Sequence, residues 1–134
     1  MTALDTKVLI YACDKSDPRR QQIALDLITA AADGVLLWQV ACEFVAASRK
    51  LNDQGFTPAD AWNRLTEFLG VFRLTLPSAD VFTRAQDLHV NHSVSFWDAL
   101  IVAACVEGGV ETLYSEDMPG RDSFGPLKVV NPFV

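Results

Sequence analysis

Residues 1–14 read MTALDTKVLIYACD and place one acid, Asp5, between two apolar runs, with Lys7 two positions after it. Aspartate is a poor strand former and is rarely buried without a partner. Asp5 therefore has two interpretations: it caps a helix, or it belongs to a cluster of carboxylates that distant parts of the chain bring together. The run VLIYA at residues 8–12 fits either a buried strand or a buried helical turn, because a short apolar run has no period that distinguishes them.

Length and composition indicate one globular domain. The chain has 134 residues, half of them hydrophobic, so we expect a single domain over residues 1–134 with a sizeable core. No apolar run reaches the roughly 18–20 residues that span a bilayer, and the N-terminus lacks the pattern of a signal peptide, so we expect no membrane association. Cys13, Cys42 and Cys105 are widely spaced in apolar surroundings. They are typical of small buried hydrophobic residues in a reducing compartment, which predicts a cytoplasmic protein.

The charge balance bears on nucleic-acid binding. With 11 basic and 17 acidic residues the net charge is −6, which argues against a general basic surface that grips nucleic acid. It does not exclude an acidic pocket that reaches phosphate through bound cations. A few scattered basic residues could follow an RNA backbone or form an ordinary solvated surface: Arg19, Arg20, Arg49, Lys50 and Arg121.

The rest of the chain alternates between strand-like and helical patterns. Strand-like runs lie at residues 2–5, 35–38, 72–76, 112–115 and 128–130. Helices are expected over residues 18–32 and 39–52, from Pro58 behind the capping box TPAD, from Ser78, and from Ser95 through ALIVAACVEGG. Strands separated by helices predict an α/β domain with a parallel sheet covered on both faces.

Four acids occupy comparable places in this scheme: Asp5, Glu43, Asp98 and Asp117. In parallel sheets, active groups gather beyond the carboxyl ends of the strands, and helix starts can bring further acids beside them. Carboxylates a few ångströms apart repel each other, and a hard divalent cation such as Mg²⁺ or Mn²⁺ resolves that conflict. Such a site can promote the attack of water on a phosphodiester.

Each acid also has an ordinary structural interpretation. Asp98 and Ser95 form an S-x-x-D box at a helix start, Glu43 fits a solvated helix position, and Asp117 fits a turn. Asp5 is the hardest to explain in this way, because its neighbours on both sides are apolar. Three further candidates lie beside the acids: Thr6 and Ser115 could orient a water molecule or serve as plain turn and cap residues, and Glu116 could replace Asp117 as a ligand.

Five stretches of the chain, taken together and in this order, resemble the PIN-domain family, in particular the VapC-type toxins of bacterial toxin–antitoxin pairs. They are ALDTKVLIYA, QVACEF, SFWDALIVAA, TLYSEDM and KVVNPF. The resemblance implies a three-layer α/β/α fold with a central parallel sheet of four to five strands. It also implies that the stretch after Asp5 is a helix.

The same resemblance implies a function. It predicts a Mg²⁺- or Mn²⁺-dependent ribonuclease whose metal-holding and catalytic acids correspond to Asp5, Glu43, Asp98 and Asp117. The expected partners are an RNA substrate, a cognate antitoxin and a second copy of the chain in a homodimer. One position departs from the family, which commonly has Asn or Ser where this chain has Lys7. We hypothesise that Lys7 weakens metal binding relative to an asparagine.

Two other functions are compatible with parts of the pattern. A phosphoacceptor signalling domain also gathers acids, Mg²⁺ and a lysine at strand ends, but it needs an acceptor Asp directly after a central strand. Neither VLLW nor FRLTL is followed by one. A catalytically impaired PIN-like binding module is the other alternative, and Lys7 is the feature that favours it.

Overall fold

The described part of the chain forms one six-stranded sheet with helices packed around it. The computed structural model describes residues 1–118 and 123–134, so Arg121 lies outside the described residues. The strands are β1 (Thr2–Leu4), β2 (Gly34–Leu37), β3 (Arg73–Thr75), β4 (Thr112–Tyr114), β5 (Ser123–Phe124) and β6 (Leu127–Val130). The helices are α1 (Thr6–Cys13), α2 (Pro18–Ala30), α3 (Trp38–Ala47), α4 (Pro58–Val71), α5 (Ala79–Asn91) and α6 (Phe96–Glu107), with a 3-10 helix over Ser48–Gln54.

The strand order is β3-β2-β1-β4-β6-β5. All neighbouring strands pair in parallel except β5, which runs antiparallel to β6. The chain therefore starts in the middle of the sheet at β1, builds outward through β2 and β3, and then crosses back to β4 on the other side of β1. The predicted α/β/α architecture is confirmed. The prediction of four to five strands missed only β5, whose two residues are too few to give a sequence period.

Helix α1 resolves the ambiguity in the first stretch of sequence. Asp5 is its N-cap residue, and the Asp5 side chain accepts a hydrogen bond from the Thr6 backbone N–H at 2.7 Å. The residues at 8–10 and 12 are buried, so VLIYA is a helix set into the core, as the resemblance implied. Helix α6 is also apolar almost all round, and its buried residues extend from Ala99 to Cys105.

In helix α3 the start of the helix and the exposure of one residue differ from the predictions. The helix begins at Trp38, which was predicted to end the preceding strand, and the backbone tightens to a 3-10 helix from Ser48. Cys42 is exposed, so the prediction that it is buried was wrong. At 100° per residue, Cys42 faces away from Val40 and Phe44, which are fully buried.

The helices pack on one another in a chain of contacts around the sheet. Helix α1 contacts α2 and α3, α3 contacts α4, and α5 contacts α6. Among the described residues, none of these helices has the length and apolar content to cross a bilayer. The parallel pairing of β1 with β4 sets their carboxyl ends side by side, at the edge of the sheet where the acids were predicted to meet.

Candidate active site

The strand order places a crevice between β1 and β4. From β1 the chain continues toward the β3 edge of the sheet and from β4 toward the β5 edge, and in parallel sheets a crevice forms beyond the carboxyl ends of two strands whose connections diverge in this way. Leu4 and Tyr114 are paired in register, and the Asp5 backbone N–H donates to the Tyr114 carbonyl at 2.9 Å. This pairing places Asp5 directly beside the residue that follows β4, which is Ser115.

Asp5 is half-buried, and hydrogen bonds hold its carboxylate. Its Oδ2 accepts from the Ser115 hydroxyl at 2.7 Å, and Ser115 is itself buried. Burial raises the pKa of Asp5; the hydrogen bonds from Ser115 and Thr6 lower it in part, and the charges of Glu43 and Asp98 raise it further. Asp5 thus both caps α1 and lies within the electrostatic reach of two other predicted acids.

Glu43 comes to this site on α3. Its Oε2 accepts from the Thr6 hydroxyl at 2.9 Å, which links α3 to the residue after Asp5. Its Oε1 accepts from the Gln39 side-chain amide at 2.6 Å. The same Gln39 amide donates to the Trp97 carbonyl at 3.3 Å, next to Asp98. Gln39 was not predicted from the sequence, because a glutamine in a first helical turn carries no distinctive pattern.

Asp98 lies in the first turn of α6, half-buried. Its Oδ2 accepts from the Ser95 hydroxyl at 2.8 Å, whereas the Ser95 side chain makes no hydrogen bond to the backbone at the start of the helix. The S-x-x-D pattern is therefore not a capping box here. In contrast, Thr57 and Asp60 at the start of α4 make both reciprocal bonds of that motif. The Ser95 hydroxyl is free to orient the Asp98 carboxylate.

Asp117 differs from the other three acids. It is exposed and forms an ion pair with Lys7, on the first turn of α1. The carboxylate lies at the entrance to the crevice, and the ammonium group of Lys7 neutralises it. Glu116, the alternative ligand, is engaged elsewhere: it accepts hydrogen bonds from the Tyr11 hydroxyl at 2.6 Å and from Arg20 Nε at 2.9 Å.

The donor set has the chemistry of a hard-cation site. Carboxylate and hydroxyl oxygens from Asp5, Glu43, Asp98, Thr6 and Ser115 are the ligands and supports that Mg²⁺ and Mn²⁺ prefer. Burial, and after it the charges of Glu43 and Asp98, raise the pKa of Asp5, and a divalent cation would favour its ionised form. In residues 1–118 and 123–134, however, no three His, Cys, Asp or Glu side chains stand close enough to form a ligand set in this arrangement. These residues are of the types that bind a hard divalent cation. To bind one cation together, their carboxylates must move closer to one another.

An apolar groove of about 710 Å³ shares Gln39 and Trp97 with the surroundings of the acids. Its rim carries large hydrophobic side chains that are more than two-fifths exposed: Trp38, Leu76, Phe82 and Trp97. Contiguous apolar surface of this kind commonly marks an interaction site on a soluble protein.

A PIN-domain family model matches residues 2–118, which contain the candidate site and all six α-helices of the described residues. The chain belongs to the PIN-domain family. No curated protein shows a significant sequence match to it.

Solved structures share the fold of this PIN domain at low sequence identity. VapC20 from Mycobacterium tuberculosis, described as a Sarcin-Ricin loop cleaving toxin, superposes with a TM-score of 0.70 at 21% identity, covering 89% of this chain and 92% of the other. A toxin–antitoxin complex from Klebsiella pneumoniae gives 0.69 at 18% identity, covering 98% of each chain. VapBC2 from Rickettsia felis, solved bound to a DNA fragment from its promoter, gives 0.71 at 16% identity, covering 97% of each chain. These structures show the same fold over nearly the full length.

Proposed function

We propose that this PIN domain is a Mg²⁺- or Mn²⁺-dependent endoribonuclease and the toxin of a toxin–antitoxin pair. The observation that carries the proposal is that Asp5 lies within the electrostatic reach of both Glu43 and Asp98, although the three acids come from three different elements. Structural stability alone gives no reason to gather like charges in a half-buried crevice. A reaction that needs a bound cation and an anionic substrate does give a reason for gathering these carboxylates.

Three acids from three different elements would hold the cation. Asp5 would bind from the start of α1, Glu43 from α3 and Asp98 from the first turn of α6, with Asp117 as a fourth ligand once it leaves Lys7. When bound, a divalent cation supplies positive charge that screens a phosphodiester and favours the ionisation of water.

The chain's own side chains supply orientation. The hydroxyl groups of Ser115 and Thr6 each donate to one carboxylate and so fix the direction of its lone pairs. The Gln39 amide does the same for the second oxygen of Glu43. Lys7, which is exposed and paired with Asp117, would approach a phosphate of the substrate. Water, and not a side chain, attacks the phosphorus; the P–O bond to one ribose oxygen breaks, and this leaving oxygen takes up a proton in place of the one that the water loses.

The partners follow from the same proposal. An RNA strand is the substrate, and a small antitoxin is the partner that blocks the site in the cytoplasm. Support comes from the fold shared with VapC20 and with the toxin–antitoxin complexes from Klebsiella pneumoniae and Rickettsia felis. Co-expression with the neighbouring gene product, followed by co-purification, tests the antitoxin.

The nuclease activity is tested by incubating purified protein with total RNA and Mg²⁺ or Mn²⁺. We expect discrete cleavage products that disappear with a chelator, and a loss of at least about 100-fold in rate for Asp5→Asn and Asp98→Asn, the scale of removing one preorganised charged group. Asp53→Asn, an exposed carboxylate on the 3-10 helix, serves as the matched control. Equal rates for all variants would contradict the proposal.

A catalytically impaired binding module is the second candidate, and the ion pair between Lys7 and Asp117 is the observation that favours it. If Lys7 competes with the cation, Lys7→Asn should tighten metal binding. An unchanged metal dissociation constant would refute this hypothesis.

We also propose that the protein forms a homodimer. The exposed aromatic side chains of Trp38, Phe82 and Trp97 support an association face on this side of the molecule. Light scattering should give twice the monomer mass for the wild type and the monomer mass for Phe82→Asp. A monomeric wild type at micromolar concentration would contradict the proposal.

A further inference from the structure

Glu116 is a carboxylate that the proposed reaction does not use. Only 15% of its side chain is exposed, so most of its surface is removed from water. A carboxylate in such a place is costly unless it is paired and hydrogen-bonded. Its partners therefore indicate what it does.

Both carboxylate oxygens of Glu116 are engaged by helices. The Tyr11 hydroxyl on α1 donates to Oε1 at 2.6 Å, and Arg20 Nε on α2 donates to Oε2 at 2.9 Å. Burial and the bond to Glu116 raise the pKa of Tyr11 to about 12, so this hydroxyl stays protonated and remains a donor at physiological pH. Glu116 thus ties the segment after β4 to two helices at once.

The partners of Glu116 are fixed in turn. Arg20 also donates to Asp17 at 3.1 Å, and its guanidinium group lies over the rings of Tyr11 and Phe133, 5.5 and 6.0 Å from their centroids. The rings of Tyr11 and Phe133 meet edge to face at 5.0 Å. The Asn131 amide donates to the Glu116 carbonyl at 3.4 Å, so the C-terminal stretch closes the same cluster.

This cluster borders the acids through the neighbours of Glu116. Ser115 donates to Asp5, and Asp117 pairs with Lys7. Lys7 and Tyr11 are four residues apart and lie on one face of α1, so this face meets Asp117 and Glu116 together. We infer that Glu116 is a positioning residue, which fixes residues 115–117 against α1 so that Ser115 stays on Asp5 and Asp117 stays at the crevice entrance.

The inference is tested by amide hydrogen exchange and metal titration on Glu116→Ala, Glu116→Gln and Tyr11→Phe. Glu107→Ala is the matched control, since Glu107 accepts from Arg84 at 2.7 Å and also joins a helix to a partner through an arginine. In Glu116→Ala without metal, we expect the Ser115 amide, which donates to the Val130 carbonyl, to exchange at least about tenfold faster while Leu113 is unchanged. Glu116→Gln, which keeps an acceptor, should recover most of the protection, and Tyr11→Phe should fall between.

The metal titration shows whether this anchoring serves the site, and this part rests on the proposed function. Calorimetry with Mn²⁺ should give an affinity about 10- to 100-fold weaker for Glu116→Ala than for the wild type, with Glu107→Ala unchanged, as for groups that orient metal ligands. Unchanged exchange at Ser115 would overturn the inference, and so would faster exchange with unchanged Mn²⁺ affinity. A wild type that binds no Mn²⁺ would instead overturn the proposed function, while the exchange result still decides whether Glu116 anchors the segment.

Discussion

At the scale of single residues, Asp5 combines two roles that the sequence presented as alternatives. It caps α1 through the Thr6 N–H, and it lies next to Ser115 within the electrostatic reach of Glu43 and Asp98. The sequence alone marked Asp5 as unusual, because an acid between two apolar runs needs a partner when it is buried. Its hydroxyl donor Ser115 could only be suggested, because contacts over 110 residues depend on strand pairing rather than on local pattern.

Asp5→Asn should stabilise the metal-free protein at neutral pH. Since burial raises the pKa of Asp5 above its ordinary value of 3.8, the folded state binds its proton more tightly than the unfolded state does. The stability contributed by the protonated form is present below about pH 4 and is lost as the pH rises through the folded-state pKa. Asparagine caps helices as well as aspartate and carries no charge.

Thermal unfolding in a chelator measures this effect. We expect the Tm of Asp5→Asn to exceed that of the wild type by a few degrees at pH 7, with the difference shrinking toward pH 4. A lower Tm for the variant at pH 7 would show that the ionised Asp5 carboxylate stabilises the fold.

The cysteines provide a second residue-scale prediction. Cys42 is exposed, whereas Cys13 and Cys105 are buried, and burial, with the charge of Asp5 adding to it, raises the pKa of Cys105 to about 12. A thiol reagent such as DTNB should therefore modify one cysteine rapidly in the folded protein and all three after denaturation. Cys42→Ser should remove the rapid phase, and a persistent rapid phase in that variant would contradict the structure.

At the scale of elements, two helix starts with similar sequences behave differently. TPAD at residues 57–60 forms a full capping box, whereas in SFWD at residues 95–98 the serine hydroxyl bonds the aspartate instead of the backbone. The local pattern is the same, so sequence alone could not separate them. The difference lies in tertiary context, since the charge of Asp98 acts on Asp5, whereas Asp60 bonds with Thr57 at its own helix start.

Because only Thr57 caps its helix, replacing Thr57 or Ser95 by alanine should lower the free energy of unfolding by different amounts. Thr57→Ala should lower the free energy of unfolding by about 1 kcal/mol, because it removes a side-chain bond to the N-terminal backbone of α4. Ser95→Ala removes no such bond and should cost clearly less. Denaturant titration of both variants measures the two values, and equal costs would indicate that Ser95 caps α6 in solution.

Element positions were otherwise largely predictable. Proline at the first helical position and the apolar run after Ser95 located α2, α4 and α6 because these signals are local. The exposure of Cys42 was misjudged because apolar neighbours in sequence do not share a helix face. Strand β5 was missed because its pairing is supplied by β6 rather than by its own two residues.

At the scale of the whole molecule, strand order converts four distant acids into one candidate site. With β1 central and β4 beside it, the start of α1 and the segment after β4 meet across one crevice, and α3 and α6 bring Glu43 and Asp98 toward it. The family resemblance predicts that these four acids share one metal site, and this stays a prediction, because no three of the described His, Cys, Asp and Glu side chains stand close enough to hold a metal. The resemblance did not predict the ion pair between Lys7 and Asp117, nor the bonds by which Glu116 fixes residues 115–117 against α1. Both depend on side chains that are particular to this chain.

Divalent-cation binding tests the central claim most directly. Titration calorimetry with Mn²⁺ and Mg²⁺ should show saturable binding to the wild type and to Asp53→Asn, and its loss in both Asp5→Asn and Asp98→Asn, with all proteins folded by circular dichroism. Loss in both variants would establish that the acids act on one cation. Binding that survives either substitution, or no binding to the folded wild type at millimolar metal, would contradict the account of a shared metal-dependent site.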